Sequence, residues 1–273
     1  MAYKMIVLDL DDTLLRDDHS ISDRTKQALM KAQENGVKVV LASGRPTFGM
    51  LPIAEELSLA DYGSFILSFN GGKIINSKTN EELFSSTLSL QDIKKLYDLS
   101  RREEVLIHTY VGDEILTETE NPYSTIESRL TGLPVRIVNS FVEDVKEEVV
   151  KSLMIGDPEK LKVVEKKLQA ELAEEYSVMR SKPYFLEFTE KGVTKGTSLN
   201  HLIQELGIKR EEVIAMGDSY NDQAMIEFAG LGVAMGNAPD DIKEIADYVT
   251  DTNMKDGVAK VVEEFVLGDL VES

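Results

Sequence analysis

The stretch MIVLDLDDT, residues 5–13, joins a short aliphatic run to a cluster of aspartates. Residues 5–10 are apolar apart from Asp9, as in a strand buried on both faces of a parallel sheet. An unpaired carboxylate at the end of such a strand is costly, so Asp9 requires a partner there. Because ligands bind outside the carboxyl ends of strands in open α/β sheets, the stretch predicts a polar site at this edge.

Strand-like and helix-like segments alternate after this opening strand. Helices are predicted at 22–35 and 47–57, and strands at 37–42 and 65–69. This alternation indicates βαβ units and a parallel sheet.

The pattern changes after Asn70. Residues 73–76 and 82–87 resemble a hairpin, and the chain up to Glu190 mixes helices with amphipathic strands. Parallel alternation then resumes with a helix at 197–207, a strand at 213–216 and a short strand at 231–234. The sequence therefore predicts an α/β fold. Its Rossmann-like parallel-sheet core comprises residues 1–83 and 191–273, and an α+β domain is inserted at 84–190.

The composition limits the possible partners and chemistries. Among 273 residues, 30 are basic and 49 acidic, which leaves a formal charge of −19. Nucleic acids and anionic membranes are bound through clustered Lys and Arg, so we expect neither as a partner. The absence of cysteine excludes disulfides and thiolate nucleophiles. Because no apolar run approaches the roughly 20 residues that span a bilayer, we expect a cytoplasmic protein; its oligomeric state stays open.

Polar residues from four segments are predicted to meet at one edge of the sheet. They are Asp9 and Asp11 after the first strand, Ser43, Gly44 and Arg45 after the second, Lys195 before a helix, and Asp218 and Asp222 after the strand that follows that helix. At about 4 Å and an effective dielectric near 20, each like-charged carboxylate pair costs on the order of 4 kcal/mol. A hard divalent cation relieves this repulsion, and Mg²⁺ is commonly held by one or two carboxylates, waters and substrate phosphate. The pattern therefore predicts a Mg²⁺ site.

Four short motifs, in this order, resemble those of the haloacid dehalogenase superfamily. They are DLDDT at 9–13, SGR at 43–45, GVTKG around Lys195 and GDSYND at 217–222. The insert resembles the class II, B-type cap of the Cof-like sugar-phosphatase branch. FNGG at 69–72, PYFLEF at 183–188, GVAMGNA at 232–238 and TNMKDGV at 252–258 are similar to further features of that branch. The resemblance covers essentially the whole chain.

The resemblance implies a Mg²⁺-dependent phosphatase for small organic phosphates such as sugar phosphates. Asp9 would attack phosphorus and form an aspartyl-phosphate, and Asp11 would act as general acid and base. Asp9, the Asp11 carbonyl and Asp218 would bind the metal.

The resemblance also implies a set of substrate contacts. Phosphate would be held by Ser43, the amides of Leu10 and Gly44, Lys195 and Asn221, with Thr13 a further substrate contact. Arg45 would touch substrate or pair with a carboxylate, and Asp222 would orient Lys195 or metal-bound water. The branch usually has Gly where this chain has Asp12; Asp tolerates a left-handed turn, but an added carboxylate disfavours anion binding.

Rival functions remain open at this point. A phosphomutase would use the same aspartyl-phosphate, and a non-catalytic sugar-phosphate-binding protein is a weaker alternative. A phospho-accepting receiver is disfavoured because it needs no acid such as Asp11, and a dehalogenase because it needs no Asp11–Asp218 metal arrangement. The expected partner is a small phosphorylated metabolite, selected by a cap whose candidate contacts are His108, Arg180, Lys182 and Tyr184.

Overall fold

A computed structural model describes residues 3–268 of the chain. Within it the chain divides into two compact units, with boundaries between Phe84 and Ser85 and between Val193 and Thr194. The first unit contains both ends of the described chain and is called the core unit. The second unit, Ser85–Val193, is called the insert.

The first part of the core unit alternates strands with helices. Its strands are β1 (Met5–Leu8), β2 (Lys38–Ala42), β3 (Phe65–Ser68), β4 (Lys73–Asn76) and β5 (Glu82–Ser85), and its helices are α1 (Asp23–Glu34) and α2 (Leu51–Glu56). Local signals account for the bounds of α1. The Ser22 hydroxyl accepts from the Thr25 amide at 3.2 Å as an N-cap, and Gly36 adopts a φ of +86° just beyond the helix end.

The insert contains six strands and four helices within the described residues. In chain order they are α3 (Leu90–Arg102), β6 (Leu106–Val111), β7 (Glu114–Thr117), α4 (Pro122–Thr131), β8 (Val135–Ile137), α5 (Phe141–Asp144), β9 (Ser152–Ile155), α6 (Pro158–Leu172), β10 (Tyr176–Lys182) and β11 (Phe185–Glu190). The strands form one sheet in the order β10-β11-β9-β6-β7-β8. Apolar side chains from one face of this sheet, including Ile107, Met154 and Leu186, pack with Leu96 of α3 and Leu168 of α6.

The chain then returns to the core unit. The elements are α7 (Lys195–Leu206), β12 (Val213–Gly217), α8 (Gln223–Phe228), β13 (Leu231–Ala234), α9 (Asp240–Ile245), β14 (Tyr248–Val249) and α10 (Gly257–Val261), the last followed by a π-helical segment at Val262–Leu267.

The core-unit sheet has the strand order β14-β13-β12-β1-β2-β3-β4-β5. The strands from β14 to β3 are parallel, and β4 is antiparallel to β3. Alternate residues of β1 enter two different apolar clusters, with Ile6 and Leu8 on one face and Met5 and Val7 on the other. Burial of both faces explains why this strand is a continuous apolar run. Because β1 lies between β12 and β2 and is parallel to both, its carboxyl end lies between theirs.

The predicted fold class, a parallel-sheet α/β core with an inserted α+β domain, is confirmed. The strand predicted at 231–234 has the predicted bounds, whereas β1 ends at Leu8 rather than Leu10 because the chain turns after Asp9. Sequence analysis missed β7, α4, β8, α5 and β10 in the insert, and α9 and β14 in the core unit. No helix among residues 3–268 is both long and apolar enough to cross a membrane.

Candidate active site

The site begins where β1 ends. Residues Leu10–Leu14 form an irregular turn directly after Asp9, in which Asp11 is extended, with φ −70° and ψ 129°, and Asp12 has a φ of +62°. Asp12 therefore occupies a left-handed conformation, which Asp tolerates better than most residues other than Gly. The Asn237 side chain donates to the Asp12 carbonyl at 2.8 Å, which ties this turn to the loop after β13.

Lys195 is the central cation of the site. It is the first residue of α7, whose N-cap Thr194 accepts from the Thr197 amide, and its side chain is 0% exposed. Its Nζ donates to Asp9 Oδ1 at 2.5 Å and to Asp222 Oδ1 at 2.6 Å. Burial alone would lower the pKa of Lys195, but the charges of Asp222 and Asp9 outweigh burial and raise this pKa above its usual value.

Three carboxylates surround a single point near Lys195. Asp9, Asp218 and Asp222 each offer one oxygen, and these oxygens lie within 4.8 Å of one another. Burial and the neighbouring Asp222 raise the pKa of Asp9 well above its usual value. Burial likewise raises the pKa of Asp218 to about 6. One ammonium cannot neutralise three carboxylates, and their hard oxygen donors fit a divalent cation such as Mg²⁺.

Asp222 differs from the other two carboxylates in its partners. Its Oδ2 accepts from the backbone amides of Asp218 and Ser219, each at 3.0 Å, while Oδ1 accepts from Lys195. Both oxygens are therefore engaged by protein donors. This arrangement fits a residue that orients Lys195 and the Asp218 loop from behind the reacting groups.

Thr13 has a different partner from the one expected of it. The sequence analysis assigned Thr13 to the substrate, but its hydroxyl donates to Asp218 Oδ1 at 2.7 Å and the residue is 1% exposed. The turn at Leu10–Leu14 buries Thr13 below the surface of the site. Its contact orients a candidate metal ligand.

The loop after β2 carries Ser43, Gly44 and Arg45. Ser43 is buried, and its Oγ accepts from the Arg45 amide at 3.2 Å. Arg45 makes a bidentate ion pair with Asp11, in which Nε donates to Oδ2 at 2.9 Å and Nη2 donates to Oδ1. The sequence analysis left two partners open for Arg45, the substrate or a carboxylate. The structure shows pairing with a carboxylate, that of Asp11.

Asn221 follows Asp218 on the loop after β12. Its Nδ2 donates to Asn70 Oδ1 at 3.0 Å, and its Oδ1 accepts from Ser219 Oγ at 2.6 Å. Asn70 was not among the predicted site residues, although it lies in the FNGG segment that carried part of the family resemblance. Its contact with Asn221 joins positions 151 residues apart, a separation that no local pattern reveals.

The candidate cap contacts lie in different surroundings within the insert. His108 is completely buried, and its Nδ1 lies 3.0 Å from Ser124 Oγ. Arg180 donates through Nε to Glu165 at 2.7 Å, and Lys182 is exposed. His108 is thus a packing residue of the insert, as burial of its ring between Tyr110 and Phe185 indicates.

Comparison with known proteins places this geometry in a family. The family model described as haloacid dehalogenase-like hydrolase matches residues 6–262. A 5-amino-6-(5-phospho-D-ribitylamino)uracil phosphatase of Bacillus subtilis (strain 168) is 34% identical over 264 residues, covering 97% of this chain and 96% of that protein. A crystal structure of a haloacid dehalogenase-like hydrolase from Bacteroides thetaiotaomicron has a TM-score of 0.90 at 46% identity, covering 96% of this chain and 98% of that one. The HAD subclass IIB sugar phosphatase BT4131 has a TM-score of 0.80 at 28% identity, covering 96% and 98%.

Proposed function

This chain belongs to the haloacid dehalogenase-like hydrolases and is a phosphoric monoester hydrolase, and from that premise we propose that it hydrolyses sugar phosphates through an aspartyl-phosphate on Asp9, with Mg²⁺ as cofactor. The observation that carries the proposal is the buried contact of Lys195 with both Asp9 and Asp222. It holds Asp9 at the end of a buried strand beside two further carboxylates, where a divalent cation would be attracted and could in turn attract a phosphate.

Asp9 is proposed as the nucleophile. Lys195 engages Oδ1 of Asp9 and so orients the carboxylate. An Asp9 oxygen forms a bond to phosphorus while the ester P–O bond breaks, and the leaving oxygen takes a proton from Asp11. Water then attacks the same phosphorus and gives a proton to Asp11, while the bond between phosphorus and the Asp9 oxygen breaks. This second step releases inorganic phosphate and restores Asp9.

The metal would be held by Asp9, Asp218 and the backbone carbonyl of Asp11. When bound, Mg²⁺ supplies positive charge that offsets the negative charge of the phosphoryl group. Thr13 and Asp222 contribute by orientation, since the first donates to Asp218 and the second holds Lys195.

The phosphoryl oxygens are proposed to meet donors from three loops and from the first residue of α7. These are the Leu10 and Gly44 amides, Ser43, Lys195 and Asn221. They belong to segments that follow β1, β2 and β12 or begin α7, so one bound phosphate would contact the carboxyl edge of the sheet on several sides.

Asp11 has to change partners during catalysis. Its carboxylate pairs with Arg45 through two nitrogens, yet the side chain is 46% exposed. Proton transfer requires Asp11 to reach the leaving-group oxygen. We therefore infer that substrate binding separates this ion pair and that Arg45 becomes available to an anionic or hydroxylated substrate.

The substrate class follows from the chemistry of the similar proteins. One is named for a phosphorylated ribityl group and another is a sugar phosphatase, so both are named for phosphorylated polyhydroxylated carbon chains. We propose the same class here.

The proposed function is tested by phosphate release from a panel of sugar, polyol and ribityl phosphates. The assay is run with Mg²⁺ and with EDTA, for wild type and for Asp9→Asn, which removes the nucleophile but preserves side-chain shape. We expect Mg²⁺-dependent release that Asp9→Asn lowers by at least about 10³-fold, as for loss of a catalytic nucleophile. Full activity of Asp9→Asn would overturn the nucleophile assignment, and an isomerised ester in place of inorganic phosphate would indicate a phosphomutase.

A further inference from the structure

The FNGG turn after β3 has an unusual backbone. Three successive residues have positive φ angles, namely +54° at Phe69, +56° at Asn70 and +93° at Gly71. Gly accepts this region freely and Asn tolerates it, but a bulky residue such as Phe rarely does. Strained backbone persists where surrounding contacts hold it, and such strain is concentrated at functional sites.

The contacts that hold this turn come from the loop after β2. The Phe69 amide donates to the Arg45 carbonyl and the Asn70 amide donates to the Ser43 carbonyl, each at 2.9 Å. The turn is therefore attached to the loop that supplies Ser43 and Gly44 to the proposed phosphate site.

The same turn contacts the start of α7. Ser198 Oγ donates to the Gly71 carbonyl at 2.6 Å, and a Cβ at Gly71 would lie 2.5 Å from the Thr194 carbonyl oxygen. Only Gly permits this close approach. The helix held in this way is the one that carries Lys195.

The side chain of Asn70 lies between two parts of the proposed phosphate site. A Cβ built on Gly44 would lie 3.1 Å from Asn70 Nδ2, so the amide packs closely over Gly44. Asn70 Oδ1 accepts from Asn221 Nδ2 at 3.0 Å, and Asn221 Oδ1 accepts from Ser219 Oγ. Both ends of the Asn221 amide are thus fixed, which leaves its second N–H with a defined direction.

We propose that Asn70 is a positioning residue that acts through Asn221. It holds the Asn221 amide so that the second N–H of this group donates to the phosphoryl group, and the strained turn exists to place Asn70 there. This inference rests on the proposed function, because Asn221 is assigned there to phosphate binding. A donor that is oriented before the substrate arrives stabilises developing charge without reorganisation.

A simpler explanation is that Asn occupies position 70 only because it tolerates a left-handed backbone. The two explanations differ for Asn70→Gly. Gly accepts the observed φ at least as well, so the backbone is preserved while the amide is lost. Asn80 supplies a matched control, because it has a φ of +57° and lies exposed in the hairpin between β4 and β5.

The test is a double-mutant cycle in kcat/KM with p-nitrophenyl phosphate and Mg²⁺. The variants are Asn70→Gly, Asn221→Ala and their combination, with Asn80→Gly as control and the melting temperature of each recorded. We expect Asn70→Gly to lower kcat/KM about tenfold in the wild-type background and less than twofold in Asn221→Ala, because the residue acts through Asn221. Asn80→Gly should leave kcat/KM unchanged.

Two results would overturn the inference. One is a wild-type kcat/KM in Asn70→Gly. The other is a double variant whose loss of kcat/KM equals the product of the fold losses in Asn70→Gly and Asn221→Ala, as for two independent residues. If wild type releases no phosphate, the proposed function fails by itself, and the same cycle is then measured on the Kd of inorganic phosphate by calorimetry. Equal Kd values for wild type and Asn70→Gly would reject the positioning role in that case.

Discussion

At the scale of single residues, the site depends on how buried charges are paired. Lys195 is completely buried and contacts two carboxylates that are themselves buried. A buried ion pair adds little net stability, but removing one partner leaves an uncompensated charge. Lys195 therefore matters to folding as well as to the proposed chemistry.

Lys195→Met tests this pairing. The substitution keeps the approximate length of the side chain and leaves Asp9 and Asp222 without their cation, so we expect the free energy of unfolding in EDTA to fall by about 3–5 kcal/mol. Lys191→Met is the control, since Lys191 pairs with Glu174 at an exposed position, where an ion pair contributes little to stability. Urea unfolding monitored by circular dichroism measures the free energy of unfolding of both variants. A loss of less than about 1 kcal/mol in Lys195→Met would contradict the pairing argument.

Thr13 offers a second residue-scale test. Its hydroxyl orients Asp218, so Thr13→Val should weaken Mg²⁺ binding by about 10- to 100-fold, as is common when a partner of a metal ligand is lost. Thr13→Ser keeps the hydroxyl and should bind Mg²⁺ nearly as wild type does. Isothermal titration calorimetry with Mg²⁺ alone gives both Kd values. Equal Kd values for the Val and Ser variants would show that this hydrogen bond does not support the metal site.

At the scale of elements, predictability followed the hydrophobic pattern. β1 and β13 are buried apolar runs and were predicted, whereas α4 was missed although Asn121 caps it and Gly132 follows it with a φ of +78°. The buried face of α4 carries Ser124, Glu127 and Thr131, so it has no apolar stripe to detect.

The polar face of α4 packs on polar residues of the insert sheet. The Tyr110 hydroxyl donates to Glu127, and His108 Nδ1 lies against Ser124 Oγ. Lys151 donates to Glu187 at 3.0 Å in the same buried group. Burial, assisted by the charge of Lys151, lowers the pKa of His108 to about 3.

This lowered pKa predicts a pH dependence of stability. Below the ordinary histidine pKa of 6.5 the unfolded chain binds a proton that folded His108 does not bind, so stability is lost as the pH falls towards about 3. Between pH 6 and 4, we expect the free energy of unfolding of wild type to fall more steeply than that of His108→Asn, by up to about 1.4 kcal/mol per pH unit.

Urea titrations at a series of pH values measure this slope, and His19→Asn is the control. His19 is exposed and has a φ of +63°, which Asn also tolerates, so His19→Asn controls for the loss of a histidine outside the buried group. Equal slopes for wild type and His108→Asn would contradict the assignment of His108 as a buried neutral residue.

At the scale of the whole molecule, the motifs were sufficient for the family and the reaction class. The match over residues 6–262 confirms the resemblance to haloacid dehalogenases, and the relatives confirm a phosphatase. The roles of individual residues remain predictions, as does selection of substrate by the domain predicted at 84–190. Asn70 and the Thr13–Asp218 contact could not be predicted, because both depend on turns with left-handed residues that bring distant segments together.

The net charge of −19 gives the metal a wider importance. A surface of this sign repels phosphate esters at long range, so attraction has to arise locally. Lys195 is engaged by two carboxylates, which leaves a bound cation as the main local source of positive charge in the proposed mechanism.

The central claim is a covalent phosphoryl group on Asp9, and acid quench during turnover tests it most directly. Wild type and Asp11→Asn, in which hydrolysis of the intermediate is slowed, are quenched with saturating substrate and Mg²⁺. Borohydride then reduces the acyl phosphate to homoserine, and mass spectrometry locates it in the tryptic peptide 5–16. We predict homoserine at position 9 only when substrate and Mg²⁺ are both present. Phosphate release with unmodified Asp9 in both proteins, or homoserine at another aspartate, would contradict the account.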